Sequence, residues 1–184
     1  MFILPSWPAP KTIKSITTTK AFGNLATHVG DNPDIVKTNR KKLQEVFNLP
    51  SEPTWLNQQH STIVTNDHLH SLPPDADGSY AKFDPAHPSP VCVVLTADCL
   101  PILICNKAGT EIAALHAGWR GLCNGIIPSG ISKLNSKPHD LFVWLGPAIG
   151  PKNFEVGHEV YEQFTEHNSQ AKSAFKPTEN GKHL

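Results

Sequence analysis

Three residues at the ends of apolar segments have side chains that could take part in catalysis or bind a metal ion. Cys99 follows Asp98 between two hydrophobic runs, and His116 ends the next run, just before Gly-Trp-Arg-Gly. His60 closes the polar stretch Asn-Gln-Gln-His inside an otherwise apolar segment. These residue types allow three interpretations: packing in a core, a Cys–His nucleophile pair, or ligands of a metal.

The donor set of His60, Cys99 and His116 suits Zn²⁺ and, less well, copper in its oxidised state. Three protein ligands from three strand ends would leave the fourth tetrahedral position open, which is typical of a catalytic zinc. The long, unequal spacings match no zinc-finger pattern. Spacing alone therefore leaves all three interpretations open.

Other residues with similar side chains are interpreted as structural. The remaining cysteines are flanked by aliphatic residues and are expected to be small core residues: Cys92, Cys105 and Cys123. The His-Leu-His stretch at 68–70 is expected to be solvated in a loop. The Asp-Ala-Asp-Gly stretch at 75–78 does not match a calcium-binding loop, because its glycine comes too early and the closing glutamate is absent.

Two residues after His116 could bind a substrate. Trp119 and Arg120 lie between two glycines, which allow the backbone to approach a ligand closely. The guanidinium of Arg120 offers a fork of donors that suits phosphate or carboxylate. Packing of Trp119 and a surface ion pair of Arg120 is the structural alternative.

Composition excludes several classes of partner. The 184 residues carry 16 basic and 16 acidic side chains, so there is no electrostatic footprint for nucleic acid or an anionic membrane. The N-terminus has no secretory pattern, and no apolar run is long enough to cross a bilayer. The four cysteines form no disulfide framework. We expect a cytoplasmic protein.

The apolar pattern predicts buried strands interleaved with helices. A helix is predicted from Pro33 to near Pro50, and the chain from Asn66 to Pro90 is predicted to be a long surface loop. Further helices are predicted at 121–134 and 157–167, and strands at 54–64, 91–96, 100–105, 110–117 and 139–147. This alternation argues for a layered α/β or α+β domain.

Five segments in order resemble the YfiH-like laccase-domain family. They are "THVGDNPDIVKTNRKKL", "WLNQQH", "TADCLPILI", "AALHAGWRGL" and "WLGPAIGPKNFEVG", so the resemblance extends from about Thr17 through Gly157. Members of the family were first called multicopper polyphenol oxidoreductases and are now described as purine nucleoside phosphorylases. Some are described as peptidoglycan editing factors.

The resemblance implies a fold, a metal and an activity. The fold is a mixed β-sheet sandwich layered with helices, and the metal is zinc bound by His60, Cys99 and His116, with copper as the alternative. The implied activities are phosphorolysis of adenosine, inosine, guanosine and methylthioadenosine, and deamination of adenosine. For the substrates, a purine nucleoside and phosphate, we expect Arg120 to bind phosphate and Trp119 or Phe154 to stack on the purine. Cys99 and His116 are then catalytic together with Arg120.

The sequence departs from the family pattern in two places. Lys20 stands where the family usually has arginine before a glycine-rich loop, and the chain ends at "GKHL", where the family continues. We expect residues 1–184 to form one YfiH-like domain that lacks the family's C-terminal segment. Such a domain would expose a sheet edge, which allows a homodimer. Weak or absent turnover is expected.

Three alternatives to a zinc phosphorylase follow from the same residues. The first is a copper-dependent polyphenol oxidase, although no His-x-His lies near Cys99. The second is a metal-free hydrolase with Cys99 as nucleophile and His116 as base. The third is an inactive, shortened member of the family. In the zinc enzyme, Asp98 is expected to orient a metal ligand.

Overall fold

A five-stranded mixed sheet forms the centre of the protein in a computed structural model that describes residues 2–66 and 72–184. A separate antiparallel ribbon pairs β1 (Phe2–Ile3) with β2 (Thr17–Thr18). The strands of the sheet, in chain order, are β3 (Val64–Asn66), β4 (Gly78–Lys82), β5 (Leu100–Asn106), β6 (Glu111–Ala117) and β7 (Leu141–Leu145).

The strands lie across the sheet in the order β3-β4-β6-β5-β7. Only β3 and β4 are parallel to each other; the remaining neighbours are antiparallel. The tight turn at Gly109 joins β5 to β6 as a hairpin in the middle of the sheet. The predicted α+β class with a mixed sheet is confirmed.

Four α-helices complete the fold of the described residues. Helix α1 (Pro33–Phe47) begins where the side chain of Asn32 accepts the backbone N–H of Asp34, and it buries Val36 and Leu43 seven residues apart. The shorter helices are α2 (Trp119–Asn124), α3 (Ile126–Ser132) and α4 (His158–His167). Gly125, with a φ of 98°, separates α2 from α3, so the single helix predicted at 121–134 is in fact two.

Two clusters of apolar side chains form the core. In the first, α3 packs on the sheet, and the residues buried there are Val64, Ile102, Ile104, Ala113, Leu115, Ala117, Ile126 and Leu134. The second surrounds α1 and contains Phe22, Leu25, Leu43 and Trp55. Cys105 is fully buried, as predicted, whereas Cys92 and Cys123 are half-buried. Among the helices of the described ranges, none has the length and hydropathy that a bilayer span requires.

Several predicted elements are wrong. Residues 91–96 form no strand, and in the predicted strand at 54–64 only the last residue, Val64, is in a strand. The apolar pattern of this segment reflects packing and not strand pairing, since Val93 and Leu95 contact the cluster around α1. The predicted loop from 66 to 90 contains β4, a strand in the interior of the sheet. The predicted strand at 139–147 is the edge strand β7, with Val143 and Leu145 about half exposed. The histidines at 68 and 70 lie outside the described residues.

Candidate metal centre

The antiparallel pairing of β5 and β6 brings two of the candidate residues to the same end of the sheet. In the register, Leu100 pairs with Ala117 and Pro101 pairs with His116. Cys99 immediately precedes β5, so it lies beside the end of β6 that carries His116. The hairpin connection therefore places a thiol and an imidazole side by side, although they are far apart in sequence.

His60 joins this pair from the segment that precedes β3. Its backbone has a left-handed φ of 60°, which is uncommon for a residue with a side chain. Its Nε2 lies 3.7 Å from the Sγ of Cys99, and its ring meets that of His116 edge to face with centroids 4.8 Å apart. One ligand atom from each of the three residues lies within 4.8 Å of the other two.

Asp77 holds both histidines in place. Its carboxylate is fully buried and lies 2.8 Å from Nδ1 of His116. It also accepts the backbone N–H groups of Gln59, His60 and Ser61, and the hydroxyl of Ser61. One carboxylate therefore fixes the left-handed turn at His60 and the ring of His116 together.

These hydrogen bonds decide the charge of Asp77 and the tautomer of His116. Burial by itself would raise the pKa of Asp77, but the hydrogen bonds from His116, Ser61 and Gln59 outweigh it and hold the pKa well below its usual range. An ionised carboxylate only accepts hydrogen bonds, so Nδ1 of His116 carries the proton. Nε2 of the neutral ring is then left with a lone pair that can bind a metal.

The surroundings of Cys99 are anionic. Burial, followed by the negative charge and hydrogen bond of Asp98 and the charge of Asp77, raises the pKa of the thiol. A free cysteine nucleophile needs the opposite, a pKa lowered by nearby positive charge. The site therefore contains two carboxylates beside a thiol and two imidazoles. A cation would balance the negative charge of the carboxylates.

Gly118 is required by close packing against the same residues. A Cβ at this position would lie 2.4 Å from Cδ2 of His60 and 3.1 Å from Sγ of Cys99. Gly118 is also the N-cap of α2, so the helix can begin directly beneath the three side chains. Because Gly118 has no side chain, the backbone can come close to His60 and Cys99. Any side chain here would collide with them.

The chemistry of the donor set fits a zinc ion, and the spacing of one ligand pair agrees with it. Two bonds of roughly 2.3 and 2.05 Å at a tetrahedral angle separate sulfur and nitrogen by about 3.6 Å. The 3.7 Å between Cys99 and His60 agrees with this value. The lone pair of His116 is fixed by Asp77 in the way that carboxylates commonly fix zinc-binding histidines. The cluster could therefore hold a metal ion.

Two of the residues predicted to bind substrate follow His116 closely in the chain, and the third, Phe154, lies in a later segment. Trp119 and Arg120 form the first turn of α2, and the guanidinium of Arg120 stacks on the ring of Trp119 at 4.3 Å from its centroid. Phe154 is 38% exposed and follows a 3₁₀ turn in the segment after β7. That segment is joined to the site by a hydrogen bond from Ile149 N–H to the carbonyl of Asp98.

Asp77 is the site residue that the sequence did not predict, whereas the close backbone approach at Gly118 agrees with the expectation for the glycines beside Trp119 and Arg120. The carboxylate that orients His116 is Asp77, whereas Asp98, expected in an orienting role, is exposed and lies beside Cys99. The Asp-Ala-Asp-Gly stretch at 75–78 invites comparison with a calcium-binding loop, which hides the role of Asp77. The signal that could have identified Asp77 is an acidic residue between Ala76 and Gly78, directly before a strand.

Comparison with known proteins agrees with these motifs. The sequence model of the multi-copper polyphenol oxidoreductase laccase family matches residues 15–184. The chain belongs to this family. The resemblance to the YfiH-like laccase-domain family is thereby confirmed.

Two relatives of this laccase-domain chain are named purine nucleoside phosphorylase. It is 46% identical to the purine nucleoside phosphorylase YfiH of Escherichia coli K12, over 94% of this chain and 74% of that protein. It is also 46% identical to a purine nucleoside phosphorylase of Haemophilus influenzae, over 99% of this chain and 78% of the relative. A crystal structure of a Neisseria meningitidis protein superimposes with a TM-score of 0.87 at 39% identity, covering all of this chain and 77% of that one.

Proposed function

We propose that this laccase-domain protein is a zinc-dependent purine nucleoside phosphorylase. The observation that carries the proposal is the convergence of His60, Cys99 and His116 on one point, with His116 oriented by the buried carboxylate of Asp77. The relatives named purine nucleoside phosphorylase, 46% identical to this chain, support the choice of reaction.

In the proposed enzyme, His60, Cys99 and His116 hold the zinc ion. Zinc bound there would supply Lewis acidity to the site. Asp77 keeps the ring of His116 in the tautomer that presents Nε2, and it fixes the backbone that carries His60. Gly118 leaves room for this arrangement above α2.

Phosphate and purine are bound, in this proposal, by the residues around α2 and the segment after β7. Stacking on Trp119 occupies the face of the Arg120 guanidinium and leaves the N–H groups along its edge available for the oxygens of phosphate. Phe154, which is partly exposed, and Trp119 offer aromatic surface for a purine ring. Arg120 then stabilises the negative charge that phosphate brings to the nucleoside.

The same site is proposed to phosphorolyse methylthioadenosine and to deaminate adenosine. Phosphorolysis consumes phosphate, whereas deamination consumes water and releases ammonia. The two reactions therefore place different demands on Arg120. This difference provides the means to test the residue.

A metal-free hydrolase with Cys99 as nucleophile and His116 as base is a weaker candidate. The raised pKa of Cys99 opposes formation of a free thiolate. The Nδ1 of His116 is engaged with Asp77, as in a catalytic triad, but the imidazole in hydrogen-bond contact with the sulfur, at 3.7 Å, is that of His60. Such a hydrolase would survive metal removal and be inactivated by thiol alkylation.

A copper-dependent polyphenol oxidase is favoured by one finding, the name of the matching family. In the ranges 2–66 and 72–184, one cluster of three metal-binding side chains is present, and it is the one at His60. A multicopper enzyme needs several copper sites. Oxidation of a phenol by the copper-loaded protein, with no phosphorolysis by the zinc-loaded protein, would favour the oxidase.

The proposed reaction is tested by following inosine and adenosine with and without phosphate. We expect release of the free base and ribose 1-phosphate only when phosphate is present, and release of ammonia from adenosine in both cases. Base release that is independent of phosphate would indicate a nucleosidase. Absence of base release by the zinc-loaded protein would contradict the phosphorylase proposal.

A further inference from the structure

A cavity lined by basic side chains lies along α1, apart from the cluster of His60, Cys99 and His116. Its volume is about 490 Å³, which is within the range of sites for small ligands. The side chains around it include Thr27, Lys37, Arg40, Lys41, Gln44 and Glu52. None of these residues belongs to the cluster at Cys99.

The basic residues share one face of α1. Lys37, Arg40 and Lys41 are spaced at i, i+3 and i+4, and Gln44 continues the same face one turn later. The apolar face of the helix, with Val36 and Leu43, is buried in the core. A polar helix face is usually only solvated. Here the loop at Thr27 and the segment at Glu52 border it, so that the helix face lines an open cavity.

Arg40 is held rigidly at the wall of this cavity. Its Nε donates to the carbonyl of Leu25 at 2.8 Å, and its guanidinium lies 3.9 Å from the centroid of the Trp55 ring. Burial lowers its pKa, an effect that nearby Glu52 partly offsets. The remaining N–H groups of the guanidinium are therefore fixed in position before any ligand arrives.

The charges around the cavity do not balance. Three cations line it together with the single carboxylate of Glu52, which accepts the indole N–H of Trp55 at 2.9 Å. In the described part of the chain, no carboxylate lies within 4.0 Å of the charged groups of Lys37 or Arg40. The ion pair of Lys41 with Glu45 is exposed at 3.7 Å and is easily replaced.

We propose that this cavity is a second ligand site, which binds a phosphate-bearing anion of two or more negative charges. The fixed guanidinium of Arg40 binds phosphate oxygens in the plane of its fork. Lys37 and Lys41 close over the anion from the helix. The site is independent of the proposed phosphorylase reaction.

The experiment titrates the full chain with inorganic pyrophosphate and follows the indole N–H of Trp55 by NMR. This proton is bonded to Glu52 at the cavity wall, and the variant Trp55→Phe assigns it among the four tryptophans. We expect a saturable shift, and about tenfold weaker binding (1.4 kcal/mol) in the double variant Lys37→Ala, Lys41→Ala. Titrations with orthophosphate and ADP at equal ionic strength distinguish free from nucleoside-bound phosphate.

Two control variants make the result specific. Lys42→Ala removes a charge from the same helix but outside the cavity, where Lys42 lies over the ring of Phe22, and it should bind as the wild type does. Arg120→Ala should also leave the titration unchanged. The proposal is overturned if no probe gives a saturable shift, if Lys42→Ala weakens binding as much as the double variant, or if Arg120→Ala abolishes it.

Discussion

Asp77 and His116 form the buried contact on which the candidate metal centre depends. The carboxylate oxygen and Nδ1 are 2.8 Å apart, and the two side chains are 0% and 5% exposed. The backbone N–H of His116 also donates to the carbonyl of Asp77, so the two residues are joined twice. The contact links β6 to the turn that carries His60.

Replacing Asp77 by asparagine should weaken zinc binding by about 10- to 100-fold and destabilise the fold by roughly 3 kcal/mol. The amide offers one acceptor oxygen where the carboxylate offers two, and it no longer fixes the tautomer of His116. Competition with a chromophoric chelator measures the affinity, and denaturant unfolding measures stability. The matched control is Asp75→Asn, at an exposed acid bonded to Asn57, which should keep the affinity of the wild type.

Adding a methyl group at Gly118 should displace a metal ligand without unfolding the protein. In Gly118→Ala the new Cβ overlaps Cδ2 of His60, a side-chain atom that can move, so we expect loss of zinc with little change in secondary structure. Metal content and circular dichroism check this. The control Gly150→Ala has no atom within 4 Å of its new Cβ and should keep its zinc. If Gly118→Ala bound as much zinc as the wild type, the inferred close packing of Gly118 against His60 would be wrong.

Glu111 should make stability depend on pH at the opposite end of β6. Burial would raise its pKa, but hydrogen bonds from Ser136 and from the backbone of Asn135, with the charge of Lys82, lower it below the ordinary value. A lowered folded-state pKa stabilises the protein above the unfolded-state pKa, and this contribution is lost as the pH falls through the folded-state pKa. We expect Glu111→Gln to cost about 1–3 kcal/mol at neutral pH. The difference from wild type, measured by urea unfolding, should shrink on acidification, and a constant difference would contradict this.

Arg120 should matter more for phosphorolysis than for deamination. In Arg120→Ala we expect the phosphate KM for base release to rise by at least about tenfold, because a charge-assisted contact is worth about 1.5–3 kcal/mol. Ammonia release from adenosine should stay close to wild type. Arg120→Lys, which keeps the charge but loses the fork, should lie in between. An equal loss of both activities would indicate a structural role for Arg120.

Much of the sheet and part of the site could be predicted from the sequence. The run at 100–105 and residues 112–115 of the next strand are continuously apolar because β5 and β6 lie in the interior of the sheet, and the ends of these strands identified Cys99 and His116. The run at 91–96 has the same character, but its residues pack against α1 without strand pairing. Apolar periodicity reports burial and does not report hydrogen-bonded partners.

Asp77 escaped prediction because its role arises only from tertiary contacts. Its partners are residues 59–61 and His116, all distant in the chain, and the segment 66–90 is rich in prolines and polar residues. Such a composition is typical of a loop, and it concealed the short strand β4 that begins at Gly78. The resemblance to the family supplied the candidate metal ligands but not the carboxylate that orients one of them.

The most direct test is the metal content of the purified protein and of its ligand variants. We expect one zinc per chain by elemental analysis of the wild type, and none retained after dialysis by Cys99→Ala or His60→Ala, because only three protein ligands hold the ion. Cys123→Ala removes a half-buried thiol outside the cluster and should keep the zinc. Retention of stoichiometric zinc by Cys99→Ala, or a wild type that binds none when zinc is supplied, would contradict the proposal that His60, Cys99 and His116 form a metal centre.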